Sequence, residues 1–160
     1  MKRKVVLISA VILLWLFHLP AKAPEYKCLY IIASKPAYPL NIEDPVLRAF
    51  VALESNFDPF AVNKRSKARG ILQILPPMIK EVNRILEEYN LSYIKYTWDD
   101  AFNIEKSINI WYIVQTYHNP DYNVKEACKI WFGRGKQYNG MTWRGYYKLL
   151  QKFLPKNLVQ

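Results

Sequence analysis

ESNFDPFAVNKRSKARGILQILP, residues Glu54 to Pro76, is the stretch whose reading decides this chain. An apolar segment runs into it. Val46, Ala49, Phe50 and Leu53 recur at i, i+3, i+4 and i+7, which predicts a helix. It opens at Asp44-Pro45, an N-cap followed by proline at the first helical position, and reaches about Ser55. Asn56, Asp58 and Pro59 break it, residues 56–70 read as a polar loop closed by Gly70, and Ile71 to Leu75 is a short apolar run that fits an extended segment, with Gln73 its one polar member. Glu54 therefore falls in the last turn of a helix, at the edge of its buried face. The negative end of the macrodipole opposes a carboxylate there, and Phe50 and Leu53 would desolvate it, so both effects raise its pKa. A glutamate tuned upward is a candidate general acid. On the residues alone, an exposed glutamate ending an amphipathic helix is the more ordinary reading.

Further along, Pro76-Pro77 starts a second helix, with Met78, Val82, Ile85, Leu86 and Tyr89 as its stripe through about Glu88. Residues 90–102 read as an aromatic-rich loop. A third helix spans Asn103 to Tyr117, with Ile104, Ser107, Ile108, Trp111 and Val114 on one side. His118-Asn119-Pro120-Asp121 ends it. A fourth, about Asn123 to Phe132, carries Val124, Ala127, Cys128 and Trp131 and stops at Gly133-Arg134-Gly135; a last helix, Thr142 to Phe153, is rich in aromatics and lysine. The expected fold is mainly α-helical, with room for a very small strand element.

The N-terminus is different in kind. Met1-Lys2-Arg3-Lys4 is a basic head, and the apolar run from Val5 to Phe17 is 13 residues, short of the ~18 of a spanning helix. Residues 1–23 are expected to be a signal peptide or an uncleaved membrane anchor, because Pro24 directly after Ala21-Lys22-Ala23 is a poor cleavage context. Either version sends the chain to the periplasm or cell envelope. Residues 24–41, proline-rich with one short strand expected at Leu29 to Ala33, read as a linker, and 42–160 as the catalytic domain.

The full chain has a formal charge of +10, and without residues 1–23, which hold Lys2, Arg3, Lys4 and Lys22 and no acid, it is +6. Such a protein suits anionic surfaces such as wall polymer or lipid headgroups. Nucleic acid is the weaker partner, since the basic residues are spread out with no finger spacing and no aromatic RNA-binding signature. Cys28 and Cys128 could form one disulfide in an oxidising compartment, closing a loop worth ~4 kcal/mol on the chain-entropy model; two buried thiols is the alternative.

No Cys/His cluster has metal spacing, no glycine-rich phosphate loop appears, and the two histidines stand apart, so no metal or cofactor is expected. One carboxylate has to carry the chemistry. Asp58, Asp99 and Asp100 are the candidates for a second, with turn-capping the competing role for each.

Glu54-Ser55-Asn56-Phe57-Asp58-Pro59, then Ala61-Val62-Asn63, then Ala68-Arg69-Gly70-Ile71-Leu72-Gln73-Ile74-Leu75-Pro76, resembles the signature of the soluble lytic transglycosylases, which share the lysozyme-like fold. A Glu-Ser pair, a turn ending in Asn/Asp-Pro and a Gly-Leu-Met-Gln block recur in that family, with Ile71 and Leu72 here replacing Leu and Met. Asn103-Ile104 with Trp111-Tyr112, and Trp131-Phe132-Gly133, extend the resemblance more weakly over about residues 42–153. The resemblance implies Glu54 as catalytic acid and base, Asn63 and Gln73 lining a glycan cleft, and Trp131 as the aromatic near the acid. It implies cleavage of the bond between N-acetylmuramic acid and N-acetylglucosamine in peptidoglycan, with a 1,6-anhydro product, and it admits service to an envelope-spanning assembly. Phe132 departs from the pattern, standing where an asparagine would hydrogen-bond near the acid; Asn139 or Tyr138 could take that role. A catalytically impaired peptidoglycan-binding protein on the same fold, and a hydrolytic lysozyme or lysin, are the competing functions.

Overall fold

The computed structural model describes residues 42–133 and 140–159. The expected signal or anchor, the linker, the strand at Leu29 to Ala33, Cys28, Tyr138 and Asn139 lie outside the described residues. Five α-helices follow in order: α1 (Pro45–Ser55), α2 (Pro76–Glu88), α3 (Ile104–His118), α4 (Val124–Phe132) and α5 (Trp143–Leu150). A 3-10 turn, Trp98–Phe102, interrupts the stretch expected to be loop, and another, Lys156–Leu158, lies near the end. The result is mainly helical, as the pattern predicts, and consistent with a lysozyme-like α domain.

The helix starts follow from their caps. Asp44 accepts from the amides of Val46 and Leu47 at 2.8 and 3.2 Å, while Asn103, Asn123 and Thr142 accept from Lys106, Glu126 and Gly145. α5 is shorter than expected, ending at Leu150, with residues 151–153 in turns.

The core is wider than one stripe per helix. α1 buries Leu47 and Val51 as well as Ala49 and Phe50, with Val46 and Leu53 at the margin, and α3 buries Ile110, Ile113 and Gln115 beyond its expected face. α3 packs against α2, α4 and the 3-10 turn, and α1 against α5, so α3 has partners on several sides. A helix so placed needs apolar residues around most of its circumference.

Ile71 to Leu75 is not extended. Arg69 and Ile74 exchange two backbone hydrogen bonds, at 3.1 and 2.8 Å, which closes Gly70 to Gln73 into a tight turn with Gln73 at φ 48°. Ile71, Leu72 and Ile74 are nonetheless buried to within 1 % of full. Burial rather than strand pairing accounts for the apolar run. Bridges Val62–Arg69 and Arg69–Ile74 are the small β element here. Gly70 is required where it sits: its φ is +74°, and a Cβ would lie 1.6 Å from the Ala101 carbonyl oxygen in the 3-10 turn.

Candidate active site

Ser55 fixes the end of α1. Its hydroxyl lies 2.8 Å from the carbonyl of Ile71 and 3.3 Å from that of Val51, tying the helix terminus to the Gly70–Gln73 turn. Asn56 caps α1 in the left-handed region, and Phe57 follows at φ 67°, so the chain reverses at once. Glu54 is thereby held in the last helical turn, its carboxyl set over the core.

There Tyr146, on α5, donates its hydroxyl to Glu54 Oε1 at 2.5 Å. Burial pushes the Glu54 carboxyl up from the ordinary 4.5 to about 7, against the Tyr146 hydrogen bond, which lowers it. Burial, with the Glu54 charge and hydrogen bond behind it, holds the Tyr146 phenol well above its usual value. A carboxyl that titrates near 7 can both give and take a proton at neutral pH.

Tyr146 is set by an aromatic cluster. Its ring packs on Phe50 (5.9 Å) and Phe132 (5.4 Å); Phe50 packs on Trp111 (4.3 Å), and Trp111 on Trp131 (4.7 Å). Trp131 also donates its indole N–H to the Leu72 carbonyl at 3.3 Å. Phe132, expected as a missing hydrogen-bonding group, serves instead as a wall for Tyr146. Tyr146 is the site residue that sequence reasoning misses. The aromatic richness of the last helix is its one signal, and 92 positions separate it from Glu54.

Gln73 and Trp131 meet in a cavity of about 330 Å³, with Phe132 and Gly133 beside them and apolar walls from Ile74, Leu75, Met78 and Ile130. Glu54 is not on its wall; Phe132 links the two, facing the cavity and packing on Tyr146. Glu81 and His118, 2.7 Å apart, also line it. Two Arg84 hydrogen bonds to Glu81 come first among the causes that hold that carboxyl down at about 2. The Gln73 amide nitrogen donates to the carbonyls of Ala61 and Gly70 at 3.1 and 3.0 Å, so its oxygen is the atom left to accept.

Asn63 is elsewhere. Its side-chain oxygen accepts from the amides of Arg65 and Ser66, both at 3.0 Å, in an exposed turn. The three other acids are also spoken for: Asp58 caps the Phe60 amide, Asp99 pairs with Arg69, and Asp100 closes the capping box of the 3-10 turn and pairs with Lys106. Among the described residues Cys128 has no disulfide partner and is fully buried, which pushes its thiol up to about 12; its suggested partner Cys28 is not among the described residues. No group of three or more candidate metal ligands, and no helix long and apolar enough to cross a membrane, occurs among the described residues.

Comparison with known families matches the transglycosylase SLT domain over residues 31–147, a span that starts inside the expected linker and takes in α1 through α4 and Tyr146. Neither the curated proteins nor the solved structures provide a significant match. With well over half its length matched, the chain belongs to the transglycosylase SLT domain family, a lytic-transglycosylase type that acts on peptidoglycan.

Proposed function

We propose that this protein is a lytic transglycosylase in which Glu54 alone performs the proton transfers. The observation that carries the reading is the Glu54 carboxyl, raised to about 7 and bonded to Tyr146, with Asp58, Asp99 and Asp100 all engaged in structural bonds. Hydrolytic glycosidases commonly place a second carboxyl about 5–9.5 Å from the first. Asp58, Asp99 and Asp100, the second carboxyls the sequence offers, are each held in a cap or ion pair.

Protonated Glu54 gives its proton to the glycosidic oxygen between N-acetylmuramic acid and N-acetylglucosamine. The bond from that oxygen to the muramyl C1 breaks, and the glucosaminyl end leaves as an alcohol. The muramyl C6 oxygen then bonds to C1, closing the 1,6-anhydro ring, and its proton returns to the Glu54 carboxylate. No water enters, and Glu54 ends as it began. The substrate's N-acetyl carbonyl stabilises the cationic centre between the two steps. Gln73 and Trp131 line the glycan cleft, while Asn63 holds the turn at Arg65 and Ser66 in shape. Export to the cell envelope, through residues 1–23, brings the enzyme to its substrate, and service to an envelope-spanning assembly is consistent with local wall opening.

Product analysis on purified sacculi tests this. Anhydromuropeptides should appear in the mass spectrum with the wild type and vanish with Glu54→Gln. Reducing ends that take up oxygen from labelled water would overturn the transglycosylase reading, and a wild type that binds sacculi without releasing fragments would make this a binding protein.

A further inference from the structure

Residues 56–70 form a loop that is tightly bonded and yet presents apolar side chains to solvent. It is closed by the Val62–Arg69 bridge, by the Asn63 amide to the Ala68 carbonyl at 2.9 Å and by the Lys67 amide to the Asn63 carbonyl at 2.8 Å. Phe57 and Lys67 sit at positive φ, a cost that only a well-determined loop sustains. On this frame Phe60 is 73 % exposed and Val62 51 % exposed. They are two residues apart, Phe60 in the Asp58–Ala61 turn and Val62 at the bridge that follows it.

The charge of the loop is lopsided. Lys64, Arg65 and Lys67 are exposed and make no ion pair among the described residues, Arg69 is taken by Asp99 and the Trp98 ring, and the loop's single acid, Asp58, is turned to the Phe60 amide. At the loop's root the Arg48 guanidinium lies 5.2 Å over the Phe57 ring. Nothing in the proposed proton transfers uses Phe60, Val62 or these cations.

We propose that this loop docks on an anionic lipid surface, Phe60 and Val62 entering the headgroup boundary while Lys64, Arg65 and Lys67 bind the headgroups. A polyanion would satisfy the cations but leave Phe60 and Val62 in water. A lipid interface accommodates both, since apolar burial and attraction to anionic headgroups act together there. The basic head and apolar run of residues 1–17 fit the same surface. The loop follows Glu54 directly, so docking would fix how the cleft faces the wall.

The test uses the full chain on vesicles of phosphatidylglycerol and phosphatidylcholine with brominated acyl chains, which quench only tryptophan at the membrane. Phe60→Trp, and separately Val62→Trp, should show quenching beyond the wild type's own tryptophans. That excess should disappear on pure phosphatidylcholine, and in the background of Lys64, Arg65 and Lys67 all changed to Ser, even where residues 1–17 keep the protein on the vesicle. Where the loop alone holds the protein to the vesicle, three lost cations should weaken partitioning on the order of 100-fold. Bound protein in which neither introduced tryptophan is quenched would overturn the proposal, as would a chain that fails to bind anionic vesicles. A fluorescence response of the Phe60→Trp variant to soluble glycan fragments but not to lipid would likewise overturn it and assign the loop to the wall polymer.

Discussion

Tyr146 hydrogen-bonds Glu54 at 2.5 Å across 92 residues of sequence, and this contact joins the last α-helix to the first at the carboxyl proposed as the catalytic acid. The bond lowers the Glu54 pKa while burial raises it. Tyr146→Phe should therefore move that pKa above 7, shifting the pH at which kcat/KM falls to higher values. The lost orientation should cost up to about 100-fold in kcat. A pH–rate profile on purified sacculi separates the two effects; an unmoved inflection with normal kcat would remove Tyr146 from the site.

Glu54 should cost the fold stability at neutral and alkaline pH. Its folded pKa lies above its unfolded one, so both states are protonated below about 4.5 and the group contributes nothing there. Between 4.5 and about 7 the unfolded chain ionises first, so stability falls as pH rises, by at most ~3 kcal/mol. Solvent contact with the part-buried side chain reduces that figure. Glu54→Gln should accordingly melt higher than wild type at about pH 8 and equally at about pH 4, while losing all lytic activity.

Gly70→Ala should be among the most damaging single changes in the described residues. The new Cβ would overlap the Ala101 carbonyl at 1.6 Å in a backbone region that alanine avoids. Since the Cβ is fixed rigidly to the main chain and meets a backbone carbonyl, relief requires the loop or the 3-10 turn to move; a loss of roughly 3 kcal/mol or more is expected in denaturant titration.

Asn63→Ala removes the acceptor of two backbone amides and should cost about 1–2 kcal/mol, with Asn63→Asp restoring most of it. Steady-state kinetics should show KM for glycan unchanged. A raised KM with unaltered melting would instead return Asn63 to the cleft.

Much of the fold is legible because helix signals are local. The Asp44-Pro45 and Pro76-Pro77 starts fall where the sequence sets them, and the helices expected from Asn103 and Asn123 begin one residue later, with those asparagines as their caps. The extended segment expected at Ile71 to Leu75 fails for a physical reason: an apolar run reports burial, and burial does not distinguish an extended strand from a turn folded inside the core. The 3-10 turn at Trp98–Phe102 is hidden in the same way, its capping box too short to stand out among aromatics.

The sequence by itself determined the helical class, the family resemblance and the candidacy of Glu54, since periodicity, caps and motif spacing are properties of neighbouring residues. Tertiary structure decided what surrounds the carboxylate. Its raised pKa depends on burial by distant helices, its hydrogen bond comes from α5, and Phe132 takes its role from the Tyr146 ring it supports. Desolvation and cross-helix contact are sums over groups far apart in sequence, which no local pattern encodes.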